Sequence, residues 1–185
     1  MSLAAYSFDG TGTEITDQSG NGHNFSLSGT NGIRTASGHT NEGLAKAGSG
    51  LIPLPNSLLT ASQTDNRTFM LWVKCNASAT TWWIRSNHSS ISSGGWGLLS
   101  LDGGNTITLR ARNASGANDA TSATIPVGGL WHHYAGTYDG STVRLYIDGV
   151  LADSTAVSGP LRTDADGLDM MEWTGTEAYF DDLRF

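Results

Sequence analysis

The sequence predicts an all-β protein built as an antiparallel two-sheet sandwich, and three observations carry that expectation. Between Ile147 and Val150 lies Asp148-Gly149, a two-residue loop that needs positive φ at both central positions and joins two hairpin strands. The chain holds 24 glycines and 4 prolines in 185 residues, with many Ser, Thr and Asn, which suits short strands and tight turns rather than helices. No window sustains an apolar period of 3.6. The nearest candidate, residues 51–61, contains Pro53 and Pro55 and reads as a loop with at most one helical turn.

In chain order, strands are expected at residues 4–8 and 24–28, as a pair around Ile33 and Leu44, and at 69–74, 82–85, 97–101, 106–112 and 123–125. Turn clusters separate them at the short spacing of sandwiches and barrels. Phe69, Leu71 and Val73 alternate with Met70 and Trp72, so that strand is apolar on both faces and belongs mid-sheet, covered twice or under a binding groove. In 106–112, Ile107, Leu109 and Ala111 alternate with Thr108, Arg110 and Arg112, marking one buried and one wet face. A strand at 131–137 leads through Tyr138-Asp139-Gly140-Ser141 into the hairpin, and the last strands fall at 168–173 and 179–185. Counting from the hairpin turn pairs Ile147 with Val150, Tyr146 with Leu151 and Arg144 with Asp153, and puts Val143, Leu145, Ile147, Val150 and Ala152 on one apolar face.

Residues 131–149, WHHYAGTYDGSTVRLYIDG, resemble the hairpin motif of laminin-G-like domains in the concanavalin A-like lectin/glucanase superfamily. Three further pieces agree: Tyr6-Ser7-Phe8-Asp9-Gly10 followed by Asp17-Gln18-Ser19-Gly20-Asn21-Gly22-His23, the strand Thr68-Phe69-Met70-Leu71-Trp72-Val73-Lys74, and the closing Phe180-Asp181-Asp182-Leu183-Arg184-Phe185. The resemblance implies one domain over residues 1–185, a jelly-roll sandwich with one sheet curved into a concave face, and first and last strands side by side. It specifies function weakly, because this superfamily hosts lectins, glycosidases, adhesive modules and structural parts.

Net charge is −7, from 10 Lys/Arg against 17 Asp/Glu, and the basic residues are scattered along the chain, which argues against a nucleic-acid partner. There is no apolar run of membrane-spanning length, so no membrane insertion is expected. Met1-Ser2-Leu3 runs straight into strand residues without a secretory pattern, so an extracellular location is expected only for an excised module or a virion component. The lone cysteine, Cys75, reads as a free thiol at a strand end.

Asp181 shares strand phase with Leu183 and Phe185, which would aim it inward, and a buried carboxylate needs a cation or several donors. The resemblance implies a structural Ca²⁺ tying the first and last strands, with Asp9, Glu42, the Gly43 carbonyl and Asp181 as ligands, an oxygen-only set suited to that ion. The alternative pairs Asp181 with Arg34 or Arg184 and leaves Asp9 capping the Gly10-Thr11-Gly12 turn. Asp164-Ala165-Asp166-Gly167-Leu168-Asp169 departs from a calcium loop, with its glycine too early and Leu168 where an oxygen ligand belongs, and reads as a solvated acidic turn.

The glutamates are Glu14, Glu42, Glu172 and Glu177, and none shares a strand with a second carboxylate two residues away, as the family's glucanases require. No enzymatic activity is expected. Trp82, Trp83 and Trp96 lie in or beside Asn/Ser/Gly-rich stretches and are the expected ligand-binding residues, flat rings flanked by amides and hydroxyls, whereas Trp72, Trp131 and Trp173 are expected in the core. The expected function is a non-catalytic recognition module binding a glycan or another surface partner. The alternative is a structural virion component, a bacteriophage capsid decoration or tail-fibre protein that meets capsid or tail proteins.

Overall fold

The structure, a computed structural model, describes residues 2–28, 32–46, 51–58, 66–75, 81–88, 91–101, 106–113, 118–124, 129–157, 159–162, 167–172 and 178–185. Six short strands come first: β1 (Ala5–Tyr6), β2 (Glu14–Ile15), β3 (Phe25–Ser26), β4 (Gly32–Thr35), β5 (Gly43–Lys46) and β6 (Ile52–Pro53). The longer ones are β7 (Arg67–Cys75), β8 (Thr81–His88), β9 (Ile91–Leu101), β10 (Thr106–Arg112), β11 (Asn118–Thr124), β12 (Trp131–Tyr138), β13 (Thr142–Ile147), β14 (Val150–Ala156), β15 (Gly167–Glu172) and β16 (Ala178–Arg184). After β6, residues 56–58 form a helical turn, as the two prolines allow. Among the described residues no helix is long and apolar enough to cross a membrane.

Two antiparallel sheets make the sandwich. One has eight strands in the order β14-β13-β12-β7-β16-β5-β4, with β1 also on β16, and the other has six in the order β11-β10-β9-β8-β15-β6. The first and last strands pair, Ala5 opposite Arg184 and Tyr6 opposite Leu183. β7 lies mid-sheet between β12 and β16; Phe69, Leu71 and Val73 are buried while Met70 and Trp72 face the other side, partly exposed. Rings bridge the sheets: Trp83 of β8 meets Tyr134 of β12 at 4.9 Å and 70°, and Trp96 of β9 meets Phe69 of β7 at 5.5 Å and 74°. Gly136 is needed at this depth, because a Cβ there would come within 2.8 Å of both Leu109 Cδ1 and Phe69 Cζ.

The opening residues dock on β1 through Asp17, whose carboxylate accepts the N–H groups of Ala5 (3.0 Å), Ser19 (2.9 Å) and His23 (3.1 Å). Burial alone would raise its pKa, but these donors hold it down at about 2. The Tyr6 hydroxyl donates to the His23 carbonyl at 2.7 Å, closing the same unit.

Three β-bulges change side-chain phase and correct three expectations. In β8 the register shifts between Trp82 and Ile84, which turns Trp83 inward, 1% exposed; Trp96, at 5%, is likewise core. Neither presents a ring to a ligand. In the hairpin, Ile147 pairs with Val150 and Tyr146 with Leu151 as expected, but a shift between Leu145 and Tyr146 puts Arg144 opposite Ser154 and Leu145 opposite Asp153. Arg144 instead binds Asp139 at 2.5 Å. Val143 and Leu145 are buried, whereas Val150 is 69% exposed and Ala152 is also exposed, so the expected apolar face ends at the turn. In β16 the register shifts between Asp181 and Arg184, around Asp182 at φ 47°. Phe180 and Leu183 both reach the core, while Asp181 pairs with Trp72 and so falls on the outer face rather than pointing inward.

Candidate functional site

On the outer face of the eight-stranded sheet, His133 of β12 lies opposite Trp72 of β7, and Arg184 of β16 lies opposite Met70. The Asp148-Gly149 turn is locked beside them. Asp148 donates its N–H to the His133 carbonyl at 2.8 Å, takes the His133 N–H at 2.9 Å, and holds His132 Nδ1 at 2.7 Å. The bulge brings Asp182 to the opposite rim, 4.0 Å from Arg184. The result is a cleft of about 460 Å³ lined by Met70, Trp72, His133, Asp148, Gly149, Asp182 and Arg184. Apolar floor and polar rim are the composition of a small-ligand site.

Beside this cleft the rings form a ladder. His39 lies on Trp72 with centroids 3.6 Å apart at 10°, Trp131 meets His39 at 5.9 Å, and Trp72 meets His133 at 5.3 Å. The loop carrying His39 is anchored from below by Asp181, which accepts the N–H of Thr40 at 2.9 Å and of Asp182 at 2.8 Å. Asp181 is 1% exposed. Burial raises its pKa to about 6 against those donors, with the Asp182 charge adding to the rise. His133 is lowered, first by burial and then by Arg184, against the opposing charge of Asp148. Burial would raise Asp148, yet its bonds to His132 and the His133 N–H leave it lowered.

The expected calcium ligands do not converge. Asp9 accepts the Glu42 N–H at 3.1 Å, and Glu42 accepts the Gly10 N–H at 2.6 Å, a reciprocal clasp of two loops. Arg34 sends its guanidinium to the main-chain oxygens of Phe8, Asp9, Gly12 and Glu14. Gly43 is buried on β5, where a Cβ would fall 3.0 Å from the Phe180 carbonyl. Among the described residues no three His, Cys, Asp or Glu side chains could hold a metal together. The donor set does not fit the ion: its carboxylates hold backbone N–H groups, and the neighbouring carbonyls already face a cation, Arg34. Asp9 does not cap the glycine turn, and Asp181 takes backbone N–H groups rather than Arg34 or Arg184.

The tryptophans exchange places relative to expectation. Trp72 lines the cleft and Trp131 meets His39 in the ring ladder beside it, while Trp83 and Trp96 fill the core. Trp82 is described by its backbone alone, in register with Leu99 and Glu172. Trp173, Asp164 and Asp166 lie outside the described residues. The double apolar face of β7 was the signal that could have found Trp72.

The family model of the Concanavalin A-like lectin/glucanases superfamily, of laminin-G type, matches residues 46–185. The chain belongs to this superfamily. No curated protein matches it. Among solved structures, the botulinum neurotoxin serotype G binding domain superposes with a TM-score of 0.72 at 15% identity, covering 100% of this chain and 47% of that one. The binding domain of Paraclostridial mosquitocidal protein 1 gives 0.69 at 15%, covering 99% and 47%. Botulinum neurotoxin type C, whose cell entry depends on interaction with two ganglioside molecules, gives 0.68 at 12%, covering 99% and 47%. At these identities the likeness establishes the fold, and the superfamily member spans about half the length of each of those chains.

Proposed function

We propose that this superfamily member is a non-catalytic recognition module that binds a glycan in the cleft over Trp72 and His133. The observation that carries the reading is the cleft's composition: ring faces and Met70 for the apolar side of a sugar, with Asp148, Asp182 and Arg184 around them for its hydroxyls. Its similarity in fold to toxin binding domains, one of them from a toxin that uses gangliosides, supports the same class of partner.

The carboxyls argue for binding over hydrolysis. A glycosidase needs a carboxylic acid with a raised pKa within reach of the leaving oxygen. Asp181 has the raised pKa but is buried under the Thr40 loop, and Asp148, which does line the cleft, is lowered. A glycan array followed by calorimetric titration tests the reading. A specific glycan should bind and be lost in Trp72→Ala with the melting temperature retained, and no reducing sugar should be released. Silence across the array, unchanged affinity in a folded Trp72→Ala protein, or turnover would overturn it.

A further inference from the structure

Negative charge is in excess around the Trp72 cleft. Two carboxylates, Asp148 and Asp182, line it against one guanidinium, Arg184, and that guanidinium lies 4.0 Å from Asp182. No other lining residue supplies a positive charge to match Asp148. His133, whose pKa is lowered first by burial and then by Arg184, is neutral at pH 7. Burial would raise Asp148, but its bonds to His132 and to the His133 N–H keep it lowered and therefore charged. The chain as a whole carries −7, so the wider field also draws a cation towards the cleft.

Both acids reach the rim from backbone positions with positive φ, 51° at Asp148 in the hairpin turn and 47° at Asp182 in the β16 bulge. Their side chains stay 45% and 30% exposed, open to a ligand, whereas the neighbouring Asp181 is closed off at 1%. Trp72 lies on the floor with one face covered by His39 at 3.6 Å and its other side turned to the cleft. An indole face is the best aromatic partner for an ammonium, and an ionised carboxylate binds a charged N–H about twice as strongly as a neutral donor. A bare metal ion fits less well: among the described residues no three His, Cys, Asp or Glu side chains converge on one point, and an indole offers a hard cation no oxygen ligand.

We infer that the sugar held in this cleft carries a protonated primary amine, as a deacetylated amino sugar does, with its ammonium over Trp72 between Asp148 and Asp182. The inference rests on the reading of the cleft as the glycan site and adds the chemical class of the glycan. Met70 beside the indole gives the carbon skeleton an apolar wall, and Arg184 donates to the ring hydroxyls. A cleft of about 460 Å³ accommodates a sugar ring, where the slender side chain of a lysine would leave most of the space unfilled.

Calorimetric titration of the whole protein in mildly acidic buffer, where the sugar amines are protonated, tests this with four probes of matched length: a deacetylated chito-oligosaccharide, its N-acetylated counterpart, a cello-oligosaccharide and oligolysine. The deacetylated sugar should bind at least about tenfold more tightly than each of the other three, and its binding should weaken as salt rises. Asp148→Asn and Asp182→Asn keep an acceptor oxygen and a residue that tolerates positive φ. Each should weaken binding of the deacetylated sugar by about tenfold at unchanged melting temperature. Glu14→Gln, which removes the same charge from an exposed position on β2, should leave it intact. Should an asparagine variant fail to fold, the comparison of amine with acetamide on the unsubstituted protein still decides. Equal or tighter binding of the acetylated or the cellulosic sugar, oligolysine binding as tightly as the amino sugar, equal loss in Glu14→Gln, or no binding of the deacetylated sugar overturns the inference. A neutral sugar that binds best and is lost in Trp72→Ala would overturn the amine alone and leave the cleft as the glycan site, so the two failures are separable.

Discussion

His39 lies flat on Trp72, ring centroids 3.6 Å apart at 10°, and couples the loop before β5 to the centre of the eight-stranded sheet. The contact covers one face of the indole and leaves the side toward His133 to the cleft. A double-mutant cycle with His39→Ala and Trp72→Ala should give a coupling of about 0.5–1.5 kcal/mol in thermal or urea unfolding. A coupling of zero would mean that the ring contact adds nothing to the loop's other anchors, Asp181 and the Asp9–Glu42 clasp.

Arg34 gathers four main-chain oxygens from the segment between Phe8 and Glu14. Arg34→Ala strands those acceptors and should lower stability by on the order of 2 kcal/mol. Chelator or added Ca²⁺ should move the melting temperature by less than about 1 °C, since an ion stabilises only the fold that binds it. A clear fall with chelator would restore the metal site.

Asp17 is held at about 2 by donors that need its charged form. With the folded pKa below that of the unfolded chain, its contribution is fully present above the ordinary carboxylate range and is lost as pH falls through about 4 towards 2. Asp17→Asn should therefore melt below the wild type at pH 7, with the gap closing by pH 2. A gap independent of pH would count against the linkage.

Both central residues of the hairpin turn have positive φ, Asp148 at 51° and Gly149 at 78°, and a Cβ on Gly149 would meet nothing within 4 Å. Any penalty there is backbone strain alone. Gly149→Val should lose at least about 1 kcal/mol, while Gly149→Asn, which adopts this region more readily, should lose less. Equal melting temperatures for the two variants would contradict the turn geometry.

The parts of the fold that were legible are those written in local pattern. The turn at Asp148-Gly149, the double apolar face of β7 and the alternation in β10 each depend on neighbours two or three residues away. The bulges at Trp83, Ala152 and Asp182 carry no glycine to mark them, and each reverses every face assignment beyond it. That is why the sequence pattern points Asp181 inward and sets Arg144 opposite Asp153, where the structure does neither. The strands around Trp82 to Trp96 extend to Thr81–His88 and Ile91–Leu101, well beyond the 82–85 and 97–101 expected, because their Ser-, Asn- and Gly-rich ends carry turn chemistry that sheet pairing overrides. Trp96 thus moved from a loop to the core. The cleft itself joins residues from four separate stretches of chain, and Arg34 meets oxygens 20 to 26 positions away; no local pattern encodes either.

The most direct measurement is an NMR titration of the isotope-labelled protein with its best glycan from the array, following indole N–H and backbone resonances. With glycan in the cleft, the Trp72 indole, the His133 and Asp148-Gly149 amides and the Asp182 to Arg184 segment should shift together and saturate with one affinity. Shifts that leave these residues unmoved, with the glycan nevertheless bound, would contradict the assignment of the cleft.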